Sequence, residues 1–359
     1  MINVTKPFLP PIDEYLKCLE GIWQRNWLTN NGPLVNELEL KLKEYLNAPD
    51  LLYLSNGTIA LQIAIKALGV RNEVITTPFT YVATTSSIVW EGCTPVFVDI
   101  EPHSLNIDPL GIEAAVTDKT TAIIATHVYG NPCQIDVIKS IADRYNLKVI
   151  YDGAHSFGTL YKGKSIFCYG DITTASFHAT KLFHTVEGGA VFTSNPDVLK
   201  KMSFMRNFGH NGPEDFAEVG INGKNSEFHA AMGLTNLRYV AKILESRKLQ
   251  SQRYDKWLEK YVNERIKIDE NAQFNYSYYP LILPSTGQTI NVIKELQDHK
   301  IFPRRYFYPA LNTVGIYQSK PLPVCESIAN RIICLPLYFD LSLEEIDFIC
   351  QIIISGLKY

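Results

Sequence analysis

No uninterrupted apolar stretch in these 359 residues reaches the ~18 that a membrane-spanning helix requires. The opening residues, MINVTKPFLPPIDEYL, also lack the basic start and apolar core of a secretory signal. The expectation is a cytoplasmic protein that neither enters a membrane nor leaves the cell. Cysteine is sparse and unpatterned: Cys18, Cys93, Cys133, Cys168, Cys325, Cys334 and Cys350 are odd in number and never form a C-x-x-C pair. That argues against a disulfide framework and a zinc site, and no metal is expected. A surplus of either charge is missing too, since 34 Lys and Arg against 37 Asp and Glu leave a net charge of -3. Such a balance gives no basic field for nucleic acid or an anionic membrane surface. Repeats, low-complexity tracts and linkers are absent as well.

What is present is a globular composition, 46% hydrophobic and 20% charged, in a chain longer than the ~250–300 residues at which one core stops growing. Short β-rich runs (LLYLS, EVITTP, TPVFVDI, TAIIATHV, LKVIYD, Asp171 to Phe177 and Ala190 to Thr193) alternate with helical patterns between about residues 50 and 200. Alternation at this spacing predicts an α/β fold with a mostly parallel sheet and helices on both faces. Ligands bind such sheets at the carboxyl ends of the strands. From Glu227 to Val262 one long helical pattern carries the chain into a mixed remainder. The expected division is a large domain over 1–240, with the N-terminal arm, and a smaller α+β domain over 241–359.

Three features at strand ends carry chemistry. Asn56-Gly57-Thr58 opens a helix after LLYLS, either as a phosphate cradle or as a plain turn with Thr58 as cap. Asp152, in YDGAHSFG, ends an apolar strand, where burial requires a cation or a strong donor; a helix cap or a metal ligand is the alternative. Lys181, in SFHATKLFHTVEGGA, is either a salt-bridged loop lysine or a desolvated amine able to form a Schiff base, with the following EGGA turning the chain back into the sheet. An anion holder, a partner for a pyridinium nitrogen and an amine for an aldehyde together make a pyridoxal phosphate site. Tyr81, in PFTYVAT, is available to cover a ring, or is an ordinary core aromatic.

With these motifs in place, the chain resembles the fold-type I, pyridoxal 5'-phosphate-dependent sugar aminotransferases of the DegT/DnrJ/EryC1/StrS family. The resemblance runs nearly end to end, through WLTNNGPLVNELE, SNGTIALQIAIKALG, TTPFTYVATTSS, HVYGNPCQID, YDGAHSFG, SFHATKLFHTVEGGA, MRNFGHNG and GINGKNSEFHAAMGL. It implies a seven-stranded sheet, Lys181 as the Schiff-base and proton-moving lysine, and Asp152 on the pyridinium nitrogen. It further implies Tyr81 over the ring, His155 beside it, Gly57, Thr58 and Ser176 at the phosphate, and Asn222 reaching the phosphate in a neighbouring subunit of a homodimer. Two positions depart from the family pattern, Asn56 where a serine is frequent and Lys224 where an arginine is.

Lys181 also separates the chain from relatives that dehydrate the sugar at C3 and carry histidine there. Within the family, the lysine loop together with VTKPFLPP is most similar to members that make dTDP-4-amino-4,6-dideoxyglucose for O-antigen and other surface glycans. The implied reaction is ping-pong transfer of an amino group from L-glutamate to C4 of dTDP-4-keto-6-deoxy-D-glucose, with bulky Phe183 and His184 shaping the sugar pose. A 3-aminotransferase, a 3-dehydratase and a non-enzymatic regulator are the competing readings. His184, Arg304, Arg305, Tyr306 and Tyr308 are the candidate contacts to the nucleotide-linked ketosugar, with an exposed surface role as the alternative for His184 and the two arginines.

Overall fold

The computed structural model describes residues 1–262, 264–317 and 319–358. Its main sheet contains β1 (Asp50–Leu54), β2 (Glu73–Thr76), β3 (Thr94–Phe97), β4 (Thr120–Thr126), β5 (Lys148–Asp152), β6 (Ile172–Ser176) and β7 (Gly189–Thr193). These seven strands lie in the order β1-β7-β6-β5-β4-β2-β3. All pairings are parallel except those of β7, which runs antiparallel to both neighbours. The period of two along the strands is visible in the cores. Tyr53, Ile75, Ile123, Val149 and Tyr151 enter one buried cluster, while Leu52, Leu54, Val74, Ile124 and Ile150 enter another on the opposite face.

Helices cover both faces, as a parallel sheet demands. The helices that bear on the site are α1 (Ile12–Arg25), α2 (Pro33–Leu46), α3 (Gly57–Ala67), α4 (Val82–Trp90) and α5 (Ile135–Tyr145). α3 buries Ala60, Leu61, Ile63 and Ala64 on one face; α2 and α5 bury Leu38, Leu42, Ile138 and Ile141 on the other. No helix among the described residues is long and apolar enough to cross a membrane.

The helical pattern from Glu227 is not one helix. It breaks between α6 (Glu227–Leu237) and α7 (Val240–Leu258), where the Tyr239 N–H bonds the Asn236 carbonyl at 2.9 Å, three residues back. Tyr239 turns its ring against Phe8, 5.2 Å between centroids, and its hydroxyl donates to Glu14. Both helices bury a face, so the apolar period continues across the break and hides it.

The C-terminal residues gather round a second core in which Leu281, Leu296, Ile333, Ile349 and Ile353 meet Tyr254 and Leu258 of α7. Its antiparallel pair is Tyr279–Ile282 with Ile332–Leu335. The first residues of the chain join this part: Ile2–Asn3 lies parallel to Ile301–Phe302, and the Leu337 N–H donates to the Val4 carbonyl at 3.1 Å.

Candidate active site

The carboxyl ends of the parallel strands converge where β1 hands over to α3. Asn56 is extended, and its side-chain oxygen accepts from the Ile59 N–H at 2.9 Å. The cap is therefore Asn56 and not Thr58. Capping leaves the Gly57 and Thr58 N–H groups outside the helical ladder, at the positive end of the helix dipole, on the cavity wall. Gly57 is required by close approach, since a Cβ there would lie 2.9 Å from Ser176 Cβ at the end of β6.

Asp152 ends β5 with Thr126 and Thr174 beside it in the sheet register. It is 6% exposed. Oδ1 accepts from the Ala154 N–H at 3.0 Å and Oδ2 from the Thr84 hydroxyl at 2.7 Å. Thr84 meets Thr80 at 2.8 Å, and Thr80 meets Thr126 at 2.9 Å. A hydroxyl has one proton to give. Because Thr84 donates to Asp152 it accepts from Thr80, which in turn accepts from Thr126, so the whole row points its protons at the carboxylate. Asp152 caps no helix, and among the described residues no three His, Cys, Asp or Glu side chains gather into a metal site.

Lys181 stands on the loop between β6 and β7. The loop closes through Phe177 N–H to the Gly188 carbonyl at 2.8 Å and Thr185 N–H to the Phe177 carbonyl at 2.9 Å. Leu182 and Phe183 are buried, and Phe183 stacks on Phe157 at 4.4 Å. This apolar anchor leaves Lys181 directed into the cavity, Nζ 3.5 Å from the Tyr278 hydroxyl. Desolvation pulls the lysine pKa below its ordinary value, with Asp152 opposing.

Two expectations about this loop are corrected. Phe183 and His184 do not face the cavity: Phe183 belongs to the core and neither residue lines the cavity wall. His184 is a buried brace, with Nε2 2.7 Å from the Phe8 carbonyl and Nδ1 accepting the Val186 N–H at 3.2 Å. That pattern fixes a neutral ring with its proton on Nε2, and burial lowers its pKa. The glycines of EGGA do not make the turn either. Val186 takes the left-handed conformation, φ 67°, an outlier for a β-branched residue. Gly188 and Gly189 are there for space, because a Cβ would fall 2.1 Å from Thr185 Oγ1 and 2.4 Å from the Asn56 carbonyl carbon, respectively.

A cavity of about 260 Å³ brings together Gly57, Thr58, Tyr81, Asp152, His155, Ser176, Lys181, Arg304 and Tyr306. Tyr81, which precedes α4, is 59% exposed and so is no core aromatic. His155 is buried, its Nδ1 accepts the Tyr129 N–H at 3.1 Å, and desolvation, with Lys181 nearby, pushes its pKa well below the ordinary value. Asn222 is exposed and lies outside the cavity of its own chain. Arg305 and Tyr308 are outside it as well: the guanidinium sits 3.3 Å from the Tyr308 ring centroid and donates to the Ala329 and Asn330 carbonyls at 3.1 Å.

Sequence reasoning missed Thr84, His178, Glu187 and Tyr278, all at or behind this wall. Thr84 carried a signal, three residues after Tyr81 on the same helical face; Tyr278, one aromatic in NYSYYP, carried none. A wider cleft of about 1040 Å³ between α7 and residues 265–280 shares only Tyr278 with the cavity and contains none of the strand-end groups.

Residues 12–354 match the DegT/DnrJ/EryC1/StrS aminotransferase family. The chain belongs to this family. A dTDP-4-amino-4,6-dideoxy-D-glucose transaminase of Shigella dysenteriae is 41% identical, covering 98% of each chain. Among solved structures, DesI, crystallised in the presence of its TDP-sugar product, superimposes with a TM-score of 0.93 at 29% identity over 99% of this chain and 93% of that one. A putative sugar aminotransferase of Streptococcus pneumoniae, solved in PLP and PMP forms, gives TM-scores of 0.89 and 0.91 at 26% and 25% identity; coverage is 99% of both chains for the PLP form, and 100% of this chain and 99% of that one for the PMP form. The protein is an aminotransferase of fold-type I, and its cofactor is pyridoxal phosphate. The residues present fit that cofactor: unladdered N–H groups at a helix start, a buried oriented carboxylate and a desolvated amine face one cavity.

Proposed function

We propose that the protein transfers an amino group from L-glutamate to C4 of dTDP-4-keto-6-deoxy-D-glucose, giving dTDP-4-amino-4,6-dideoxy-D-glucose for surface glycans such as O-antigen. The observation that carries the reading is the convergence of Lys181, Asp152 and the α3 start on one cavity, in a chain 41% identical to a transaminase named for that product. When bound, pyridoxal phosphate supplies the carbonyl that carries the amino group and the ring that withdraws electrons from the substrate carbon. The Gly57 and Thr58 N–H groups and the Ser176 hydroxyl would hold its phosphate. Asp152 would pair with its ring nitrogen, and Tyr81 and His155 would hold the ring. Lys181 moves the proton at the substrate carbon, a task suited to an amine whose pKa desolvation has lowered.

Arg304 and Tyr306 face the cavity from the C-terminal side and receive the anionic parts of both substrates. Asn222, exposed on its own chain, completes the phosphate site of a second copy, which makes the working unit a cytoplasmic homodimer with shared sites. The test is incubation with dTDP-4-keto-6-deoxy-D-glucose and L-glutamate followed by NMR of the sugar product. The expected product has an equatorial amine at C4; an amine at C3, or an axial one at C4, overturns the substrate assignment. Analytical ultracentrifugation with assay checks the assembly, and an active monomer would refute the shared site.

A further inference from the structure

Among the described residues, Lys181 Nζ has a single hydrogen-bond partner, and it comes from the far side of the cavity: the Tyr278 hydroxyl, 3.5 Å away. Tyr278 is 6% exposed and immediately precedes the strand Tyr279–Ile282. Its ring is wedged between His155, Tyr306 and Tyr129, with centroids 4.6, 5.6 and 5.8 Å away. The backbone beneath it is pinned. Ser277 Oγ and Asn275 Nδ2 donate to the His155 carbonyl at 2.7 and 2.8 Å, and the Arg247 guanidinium donates to the Ser277 carbonyl at 2.9 Å. A lysine side chain carries about 2 kcal/mol of rotamer freedom, whereas this phenol has almost none left to lose.

Burial raises the Tyr278 pKa, so the hydroxyl keeps its proton at neutral pH. A protonated phenol can accept from an ammonium and donate to the lone pair of a neutral amine. It therefore has a hydrogen bond to offer Lys181 in either protonation state. We propose that Tyr278 is a positioning residue for Lys181, its hydroxyl holding the amine in place whenever the lysine is not engaged with cofactor or substrate. The proposal rests on the assignment of Lys181 as the proton-moving residue. It gives the C-terminal part of the chain a direct hold on a lysine that the sheet alone would leave free to swing.

The test is Tyr278→Phe, which keeps the ring between its three aromatic neighbours and removes only the hydroxyl. Two rates are read: growth of the near-visible absorbance band when pyridoxal phosphate is added to the cofactor-free protein, and the single-turnover reaction with L-glutamate. Both are expected to fall roughly three- to tenfold, the loss that follows removal of one ordinary hydrogen bond, with KM for glutamate and the thermal midpoint unchanged. Unchanged rates overturn the proposal. So does a fall matched by a lowered thermal midpoint or a proportionate rise in KM, because the role is then structural. Should the variant not fold, 3-fluorotyrosine at position 278 retains the shape and makes the phenol a weaker acceptor and a stronger donor; rates that change at an unchanged thermal midpoint support the hold on Lys181 and unaltered rates refute it. Lys181→Ala, assayed in parallel, separates this outcome from failure of the underlying assignment, since full activity there sinks the lysine's role whatever Tyr278 does.

Discussion

The two walls of the cavity are held in different ways. On the sheet side, Gly57, Thr58, Asp152 and Ser176 sit at strand ends or at the start of a helix, fixed by a ladder of main-chain hydrogen bonds and by the strand register. On the other side, Tyr278, Arg304 and Tyr306 come from loops beside a short antiparallel pair. Their anchors are aromatic packing, the isolated Arg304–Cys334 bridge and side-chain hydrogen bonds at Asn275, Ser277 and Arg247. The first wall is rigid for reasons that side-chain substitution barely touches; the second is rigid only while its side chains pack. Such a division suits an enzyme whose cofactor chemistry is constant and whose substrate selection is adjustable.

The strongest way to break that contrast is Lys181→Ala. Turnover should drop by roughly 10³-fold or more, because covalent participation and proton movement vanish together; single-turnover measurement with L-glutamate that gives a near-normal rate would remove the sheet wall from the chemistry. Next in size, Arg304→Ala should raise KM for the nucleotide sugar about ten- to a hundredfold at similar kcat, as loss of a charge-assisted hydrogen bond predicts. Arg305→Ala, outside the cavity, should stay within about twofold. Equal effects from the two arginines would show that the second wall is not where selection occurs.

The row Thr126, Thr80, Thr84 sharpens the picture of the first wall. Thr84→Val deletes the donor to Asp152 Oδ2 while keeping the shape, so equilibrium dialysis should find pyridoxal phosphate held about five- to tenfold more weakly. Unaltered affinity would mean that the Ala154 N–H alone orients the carboxylate. The smallest effect on turnover, though not on stability, concerns the buried histidines. Burial pushes the His127 pKa down to about 3 and lowers that of His184. Below the ordinary histidine value of ~6.5 the unfolded chain binds protons that these folded rings refuse. Stability is therefore full above pH ~6.5 and declines as pH falls toward 3, on the order of 1.4 kcal/mol per pH unit for each ring still neutral. Denaturant midpoints at pH 7.5 and 5.5 should differ accordingly, and less so in His184→Asn; matching midpoints in the parent protein would contradict it.

The difference between the walls also explains what could be read from the residues in order. The seven strands were legible because alternation of β-rich and helical runs is a local pattern, and Asp152, Lys181 and the Asn56–Thr58 turn were legible because each closes a strand or opens a helix. Tyr278 was not, since its meaning depends on a residue 97 positions away. Arg304 and Arg305 are adjacent in sequence and indistinguishable there, yet one lines the cavity and the other lies over Tyr308. Phe183 and His184 misled for the same reason. Proximity to Lys181 along the chain suggested a place beside the sugar, while the packing of Phe157 and the reach of Phe8 drew both inward. The break at Tyr239 was invisible because the helices on either side each bury a face and the apolar period runs on across it.

The N-terminal arm sets an order of events during synthesis. Its partners, Ile301, Phe302 and Leu337, leave the ribosome roughly 300 residues after Ile2 and Val4 do. Until then Ile2 and Val4 lack these partners, and closing a loop of that length carries an entropic cost that grows as the logarithm of its size. The same arm carries Phe8, whose carbonyl meets His184 beneath the lysine loop. A nascent chain therefore has every strand of its central sheet before the partners of Ile2 and Val4 exist, so the arm that braces the lysine loop through Phe8 is held at its first residues only after Leu337 is made.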